Sequence, residues 1–292
     1  MQSINGNYYK RFYANVAKQE KEKLYQFREN HSYKTLDING NEWSYLFSGK
    51  GDEIILLLTG GSRAGESFSL FPELEKHYRV ISPTYPIVDE IETLVIDIEE
   101  ILKKEKLKTV ILFGKSLGGM ISQVFVRKYP NRVSKLIIAN TMSPNPKYNR
   151  RSKITTMFLK VLPRRVVRKL AENHLLQLWN EAQEEERDFW TAYYKELLYT
   201  YMPKEWIISQ FKLSYDFSNN YQFSPDDLKK WDGKMLIIDS EFDEIFGSSL
   251  QRELEMLYPQ ATKHTIENAG HSPTLSKKKE YLSAVFDFLQ KS

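Results

Sequence analysis

The sequence predicts an α/β protein, with a mostly parallel central sheet flanked by helices and a block of helices inserted late in the chain. Three observations carry this expectation. Apolar runs of strand length alternate with helical stripes over residues 53–140 and again over 234–289. Between them, 141–231 holds no strand-like run. At one strand-to-helix junction stands Gly114-Lys115-Ser116-Leu117-Gly118, a G-x-S-x-G pattern. In that setting the chain must turn sharply, which holds the serine in a strained conformation with its hydroxyl exposed at the sheet edge.

Bulk properties narrow the field. At 292 residues the chain is one large domain or a core with an inserted subdomain. A net charge of +4, with both signs plentiful, gives no reason to expect nucleic acid as a partner. There is no cysteine, which excludes disulfides, thiolate metal sites and a cysteine nucleophile. That fits a reducing cytoplasm. Residues 1–10 have no apolar h-region, so no signal peptide is expected. The longest aliphatic run, 54–58, is too short to span a membrane.

Residues 8–28 read as one helix. Tyr9, Phe12, Tyr13 and Val16 recur at helical spacing, and Leu24 and Phe27 extend the stripe. Lys18, Glu20, Lys21, Glu22 and Lys23 line the other face, and their mixed sign favours a helix packed on the body over one lying on a membrane. Runs 33–38 and 43–47 flank Asn39-Gly40, a tight-turn signal, and form an antiparallel hairpin. Run 53–58 reads as a strand buried on both faces. It ends in Thr59-Gly60-Gly61-Ser62, with a helix expected from about residue 66. A strand at 78–82 is closed by Pro83 and Pro86. Ile91, Leu94, Val95, Ile98, Ile101 and Leu102 mark a helix. Strand 109–113 feeds the G-x-S-x-G turn, a helix carries Met120, Val124 and Phe125, and 135–139 is the next strand. After the inserted block come strand 234–239, helix 248–257 with a capping box at Ser248 and Gln251, strand 261–266 and helix 274–289.

Four segments follow: an N-terminal helical extension (1–31), a first core part (32–140), a helical cap (141–231) and a second core part (232–292). The cap is rich in Trp and Tyr, which suggests an apolar pocket with a few hydroxyl handles. Its charge is divided: 147–169 holds nine Lys/Arg and no acid, and acids dominate 172–188. The basic stretch reads first as a solvated face and second as a surface for an anionic substrate or partner.

A serine hydroxyl needs a base to accept its proton, and the base needs a group that fixes its tautomer. In a parallel sheet the loops after the strands converge on one edge. Strand 234–239 is followed by a loop with Asp243 at its tip, and strand 261–266 by Glu267-Asn268-Ala269-Gly270-His271-Ser272-Pro273. Asp239 lies inside its strand, Glu241 falls short of the tip, and Glu244 is the remaining alternative acid. Of the other histidines, His264 lies in a strand, His77 at a helix end, His174 in the cap and His31 before the hairpin. The catalytic candidates are therefore Ser116, Asp243 and His271. Oxyanion donors would be the N–H of Leu117, after the nucleophile, and that of Gly61, in the loop after the first buried strand. There is neither a G-x-x-x-x-G-K-[ST] nor a G-x-G-x-x-G pattern for a nucleotide.

With these residues in place, the chain resembles the α/β-hydrolase superfamily, as a serine-triad member with a helical cap. The likeness rests on Gly114 to Gly119, on Leu236-Ile237-Ile238-Asp239-Ser240-Glu241-Phe242-Asp243 and on Asn268 to Pro273. Arg79 to Pro86, with Thr59 to Ser62, is also similar to the maspardin-like branch, although His271 stands where maspardin has no histidine. Thr59 stands where the wider family commonly has a histidine. The resemblance implies a serine hydrolase cleaving a small or medium carboxylic ester through an acyl-enzyme, with no metal or organic cofactor. Family members that open epoxides or cleave haloalkanes use aspartate at the position of Ser116. The partners expected are a small-molecule acyl substrate, no nucleic acid and no integral membrane segment, in a cytoplasmic monomer or homodimer. The alternatives are a ligand-binding or adaptor protein on the same scaffold, and an amidase or peptidase with Glu184, Glu185 and Glu186 anchoring an amine.

Overall fold

The computed structural model describes residues 11–61, 63–179 and 181–290. Eight strands form one sheet: β1 (Lys34–Ile38), β2 (Asn41–Gly49), β3 (Ile54–Leu58), β4 (Arg79–Thr84), β5 (Val110–Lys115), β6 (Val133–Ala139), β7 (Lys234–Ser240) and β8 (Thr262–Ile266), in the order β1-β2-β4-β3-β5-β6-β7-β8. β1 and β2 are antiparallel, β2 meets β4 antiparallel, and every pairing from β4 to β8 is parallel. Asn39 and Gly40 both take positive φ, as the tight hairpin turn requires.

Period-two alternation divides the core into two layers. Leu56, Leu58, Leu112, Ile138 and Ile237 face α2 (Ile91–Lys104), α3 (Leu117–Lys128) and α8 (Ser248–Leu257). Their neighbours Ile55, Leu57, Phe113, Ile137 and Ile238 face Phe27 of α1 (Lys18–Asn30) and Tyr281 and Val285 of α9 (Lys278–Gln290). Each fully buried Leu or Ile gains about 2 kcal/mol by leaving water.

Between β6 and β7 the chain forms α4 (Pro146–Val161), α5 (Arg164–Trp179), α6 (Arg187–Tyr201) and α7 (Lys204–Asn220). These helices share an apolar cluster with Tyr13, Val16 and Leu24 of the N-terminal segment. Lys204 donates to the carbonyls of Lys160 and Leu162, placing a cation on the exposed end of α4. Among the described residues no helix is long and apolar enough to cross a membrane.

Three expectations need correction. The single helix over 8–28 is not formed: α1 starts at Lys18, after an extended Ala17 and a turn at 14–15. Tyr9 lies outside the described residues. The reason is Glu196 on α6, which accepts hydrogen bonds from Tyr13 Oη (2.6 Å) and from Arg28 Nη1 and Nη2 (3.0 and 2.9 Å). In one straight helix Tyr13 and Arg28 would stand about 22 Å apart, too far to share a carboxylate. The capping box is also absent. Ser248 is already helical after Gly247, and the Gln251 amide donates to the Ser240 carbonyl at 2.8 Å. The last helix is split, with a short helix Pro273–Ser276 ending before α9.

Candidate active site

Ser116 occupies the turn between β5 and α3 with φ 52° and ψ −118°, a region that a residue with a side chain rarely adopts. Close packing enforces it. A Cβ on Gly118 would lie 2.1 Å from the Leu58 carbonyl oxygen, and one on Gly60 would lie 2.8 Å from the Ser116 Cβ. Only glycine permits these approaches of α3 and the β3 loop to the turn. The Ser116 N–H donates to the Ala139 carbonyl (2.9 Å), and Thr141 Oγ1 donates to the Ser116 carbonyl (2.8 Å). The hydroxyl is thus left to face the cavity.

His271 and Asp243 lie beside it. His271 Nε2 is 3.2 Å from Ser116 Oγ, and Nδ1 is 3.0 and 2.9 Å from the two Asp243 oxygens. Asp243 Oδ1 also accepts the N–H groups of Ile245 and Phe246 at 2.9 Å each, and Oδ2 accepts from Asn140 Nδ2 at 3.2 Å. Burial alone would raise this carboxyl. The hydrogen bond and charge of His271, then the Phe246 N–H and Asn140, outweigh burial and hold it below its usual range. The Phe246 ring meets the imidazole edge-on, with centroids 5.3 Å apart. Asp243 and His271 are both buried. A hydroxyl, imidazole and carboxylate in this chain can pass a proton from oxygen to nitrogen and stabilise the resulting cation.

The remaining predicted residues also reach the site. Leu117 is the first residue of α3, so its N–H has no acceptor within the helix. Gly60, Gly61 and Leu117 line the same cavity as Ser116 and His271. Lys115 points to the loop after β8, 3.5 Å from Thr274 Oγ1. The proposed amine anchor does not converge here. Glu184 and Glu185 are exposed, Glu186 accepts from Trp190 Nε1 at 3.0 Å, and none of the three lines the cavity. Among the described residues no group of three His, Asp or Glu could hold a metal ion.

Two residues at the site lay beyond sequence reasoning. Asn140, at positive φ after β6, ties the Asp243 carboxylate to Ser240 Oγ (2.9 Å). An Asn after an apolar strand reads only as a turn residue. Glu181, in the connection after α5, accepts the N–H groups of Gly270 (3.1 Å) and Ser272 (3.1 and 3.3 Å) and so holds the loop that carries His271. Burial, and then the charge of Glu244, raise its carboxyl, while the Ser272 N–H and the charges of Lys115 and His271 act the other way. Nothing local pairs residue 181 with residue 270.

The cavity over Ser116 has a volume of about 470 Å³. Its far wall comes from the inserted helices, including Leu159, Val167, Leu175, Leu198, Met202 and Phe211.

A parallel sheet with a serine at a strained strand-to-helix turn, and an acid and a histidine in later strand loops, defines the α/β-hydrolase class. The sequence profile of the alpha/beta hydrolase fold family matches residues 53–278, and the chain belongs to that family. It is 24% identical over 270 residues to the sn-1-specific diacylglycerol lipase ABHD11 of Danio rerio, covering 84% of this chain and 81% of that protein. It is 28% identical over 128 residues to epoxide hydrolase 4 of Homo sapiens, covering 39% of this chain and only 35% of that protein's length. The enol-lactonase from Burkholderia xenovorans LB400 shares the fold with a TM-score of 0.72 at 17% identity, covering 88% of this chain and 100% of that one.

Proposed function

We propose that this chain is a serine hydrolase that cleaves a carboxylic ester through an acyl-enzyme. The observation that carries the reading is the continuous contact from Ser116 Oγ through His271 to Asp243. The Ser116 Oγ proton passes to His271 Nε2 as Oγ bonds to the ester carbon. The carbonyl oxygen takes the negative charge and is held by the N–H groups of Leu117 and Gly61. The tetrahedral adduct collapses, the ester C–O bond breaks, and Nε2 gives its proton to the leaving alcohol. Water then gives a proton to Nε2 as it attacks the acyl carbon, and Ser116 departs with that proton restored. Asp243 stabilises the imidazolium in both halves. The inserted helices act as a cap, and their apolar side chains favour a medium-length acyl chain over a polar one.

Ser116→Ala tests the reading. Hydrolysis of p-nitrophenyl butyrate should fall by at least about 10⁴-fold, and labelling by a fluorophosphonate should vanish. Wild-type turnover in the variant would remove Ser116 from the chemistry.

A further inference from the structure

α4 buries Leu159 but turns most of its large apolar side chains outward. Ser152 and Thr156 are buried, with Thr156 Oγ1 donating to the Ser152 carbonyl at 2.8 Å. Ile154, Met157, Phe158 and Val161 face outward, Phe158 at 66% and Val161 at 81% exposure. They recur at intervals of three and four and form one stripe, which Lys147 and Arg150 continue toward the start of the helix at the same spacing. In α5, Val166 and Leu170 are exposed as well. Leu170 also lines the cavity over Ser116, so the cavity reaches the surface beside this apolar patch.

The chain segment that forms the patch carries charge of one sign. Residues 147–169 carry nine Lys/Arg and no acid. Arg164 reaches Glu205 (3.1 Å) and Lys169 reaches Glu172 (3.1 Å), both acids lying outside the stretch. Lys147, Arg150, Lys153, Lys160 and Arg165 make no ion pair among the described residues. Apolar side chains bordered by unpaired cations match one kind of surface. Rings and branched chains enter the acyl boundary of a bilayer while ammonium and guanidinium groups meet lipid phosphates. We propose that the outward stripe of α4 and the first turns of α5 dock on an anionic lipid bilayer and bring the cavity mouth at Leu170 to the lipid. The substrate would then be an acyl ester drawn from that bilayer, a point that rests on the hydrolase reading. The docking itself needs no Ser116.

Co-sedimentation with vesicles tests the proposal. The chain of 292 residues should pellet with mixed phosphatidylglycerol–phosphatidylcholine vesicles and remain in the supernatant with pure phosphatidylcholine. Phe158→Glu/Val161→Glu should lower that binding at least about tenfold, since two apolar contacts are replaced by two charges that an anionic surface repels. Its turnover of soluble p-nitrophenyl butyrate should stay within roughly twofold of wild type, because neither residue lines the cavity. Lys153→Glu/Arg165→Glu should remove the preference for anionic lipid. Wild-type protein that does not pellet, or a Phe158→Glu/Val161→Glu variant that pellets like wild type, would overturn the proposal. So would a wild-type dimer that ignores vesicles and that the same variant dissociates, since a second copy would then own the face. Ser116→Ala should pellet like wild type. Vesicle binding by a protein with no esterase activity would leave the docking surface standing and sink the hydrolase reading instead.

Discussion

Asp239→Asn should make the protein's stability less dependent on pH, and the size of the effect follows from the site. Asp239 is buried near the end of β7, and among the described residues its Oδ1 has no hydrogen-bond partner. Burial first, and then the charges of Glu255 and Asp243, push its carboxyl from 3.8 up to about 7, with Lys263 opposing. The folded state therefore holds this proton more tightly than the unfolded chain does. Below the unfolded value both states are protonated and the group costs nothing. As pH rises from 3.8 toward 7 the unfolded chain gains by ionising while the folded protein does not, so stability falls across that window and is level above it. Three units at about 1.4 kcal/mol each give about 4 kcal/mol lost by pH 8. Asparagine has nearly the same shape and does not ionise. Its own amide incurs some desolvation cost, but that cost is the same at every pH. The variant's stability relative to wild type should thus rise by about 4 kcal/mol between pH 4 and pH 8, read from urea unfolding followed by tryptophan fluorescence. A constant difference between the two pH values would show that this carboxyl does not titrate within the window.

Gly118→Ala forces a Cβ to within 2.1 Å of a backbone oxygen that has nowhere to move, so the variant should lose about 3 kcal/mol or fail to accumulate as folded protein; thermal melting measures it. Arg28→Met leaves the buried Glu196 without its cation and should cost about 3–5 kcal/mol in denaturant unfolding, whereas adding Glu196→Gln should recover most of the loss. Equal losses in the single and double variants would show that the pair is not coupled. Glu181→Gln removes the charge that holds the His271 loop by its backbone N–H groups, and should lower kcat about tenfold with KM nearly unchanged. A change in KM alone would assign Glu181 to substrate binding.

That Ser116, Asp243 and His271 lie together was legible in the sequence because a mostly parallel sheet sends the loops after β5, β7 and β8 to one edge, whatever their contents. The hairpin at Asn39-Gly40 was legible for a similar reason, since two consecutive residues with positive φ admit few alternatives. What escaped depends on pairings that no local pattern encodes. The break before α1 follows from Tyr13 meeting Glu196, 183 residues away. The capping box at Ser248 gave way because the Gln251 amide found the Ser240 carbonyl instead. Asn140 and Glu181 act through partners 103 and 89 residues distant, and each looks ordinary among its neighbours. The absence of strand-like runs marked the inserted block as helical, but the apolar stripe of α4 has the spacing of a core-facing surface and nothing in its pattern tells which way it points.

The distance along the chain between Ser116 and His271, 155 residues, also bears on how the protein acquires its shape. Four neighbouring strands, β5 to β8, must dock side by side in register before the hydroxyl and the imidazole can meet, and the connections between them include the whole helical insertion. Such long loops close slowly, so these contacts belong among the last to form during refolding. On the proposed hydrolase reading, regain of ester turnover after dilution from denaturant should then trail the recovery of helical circular dichroism, so that the proposed reaction would serve as a clock for the completion of the sheet.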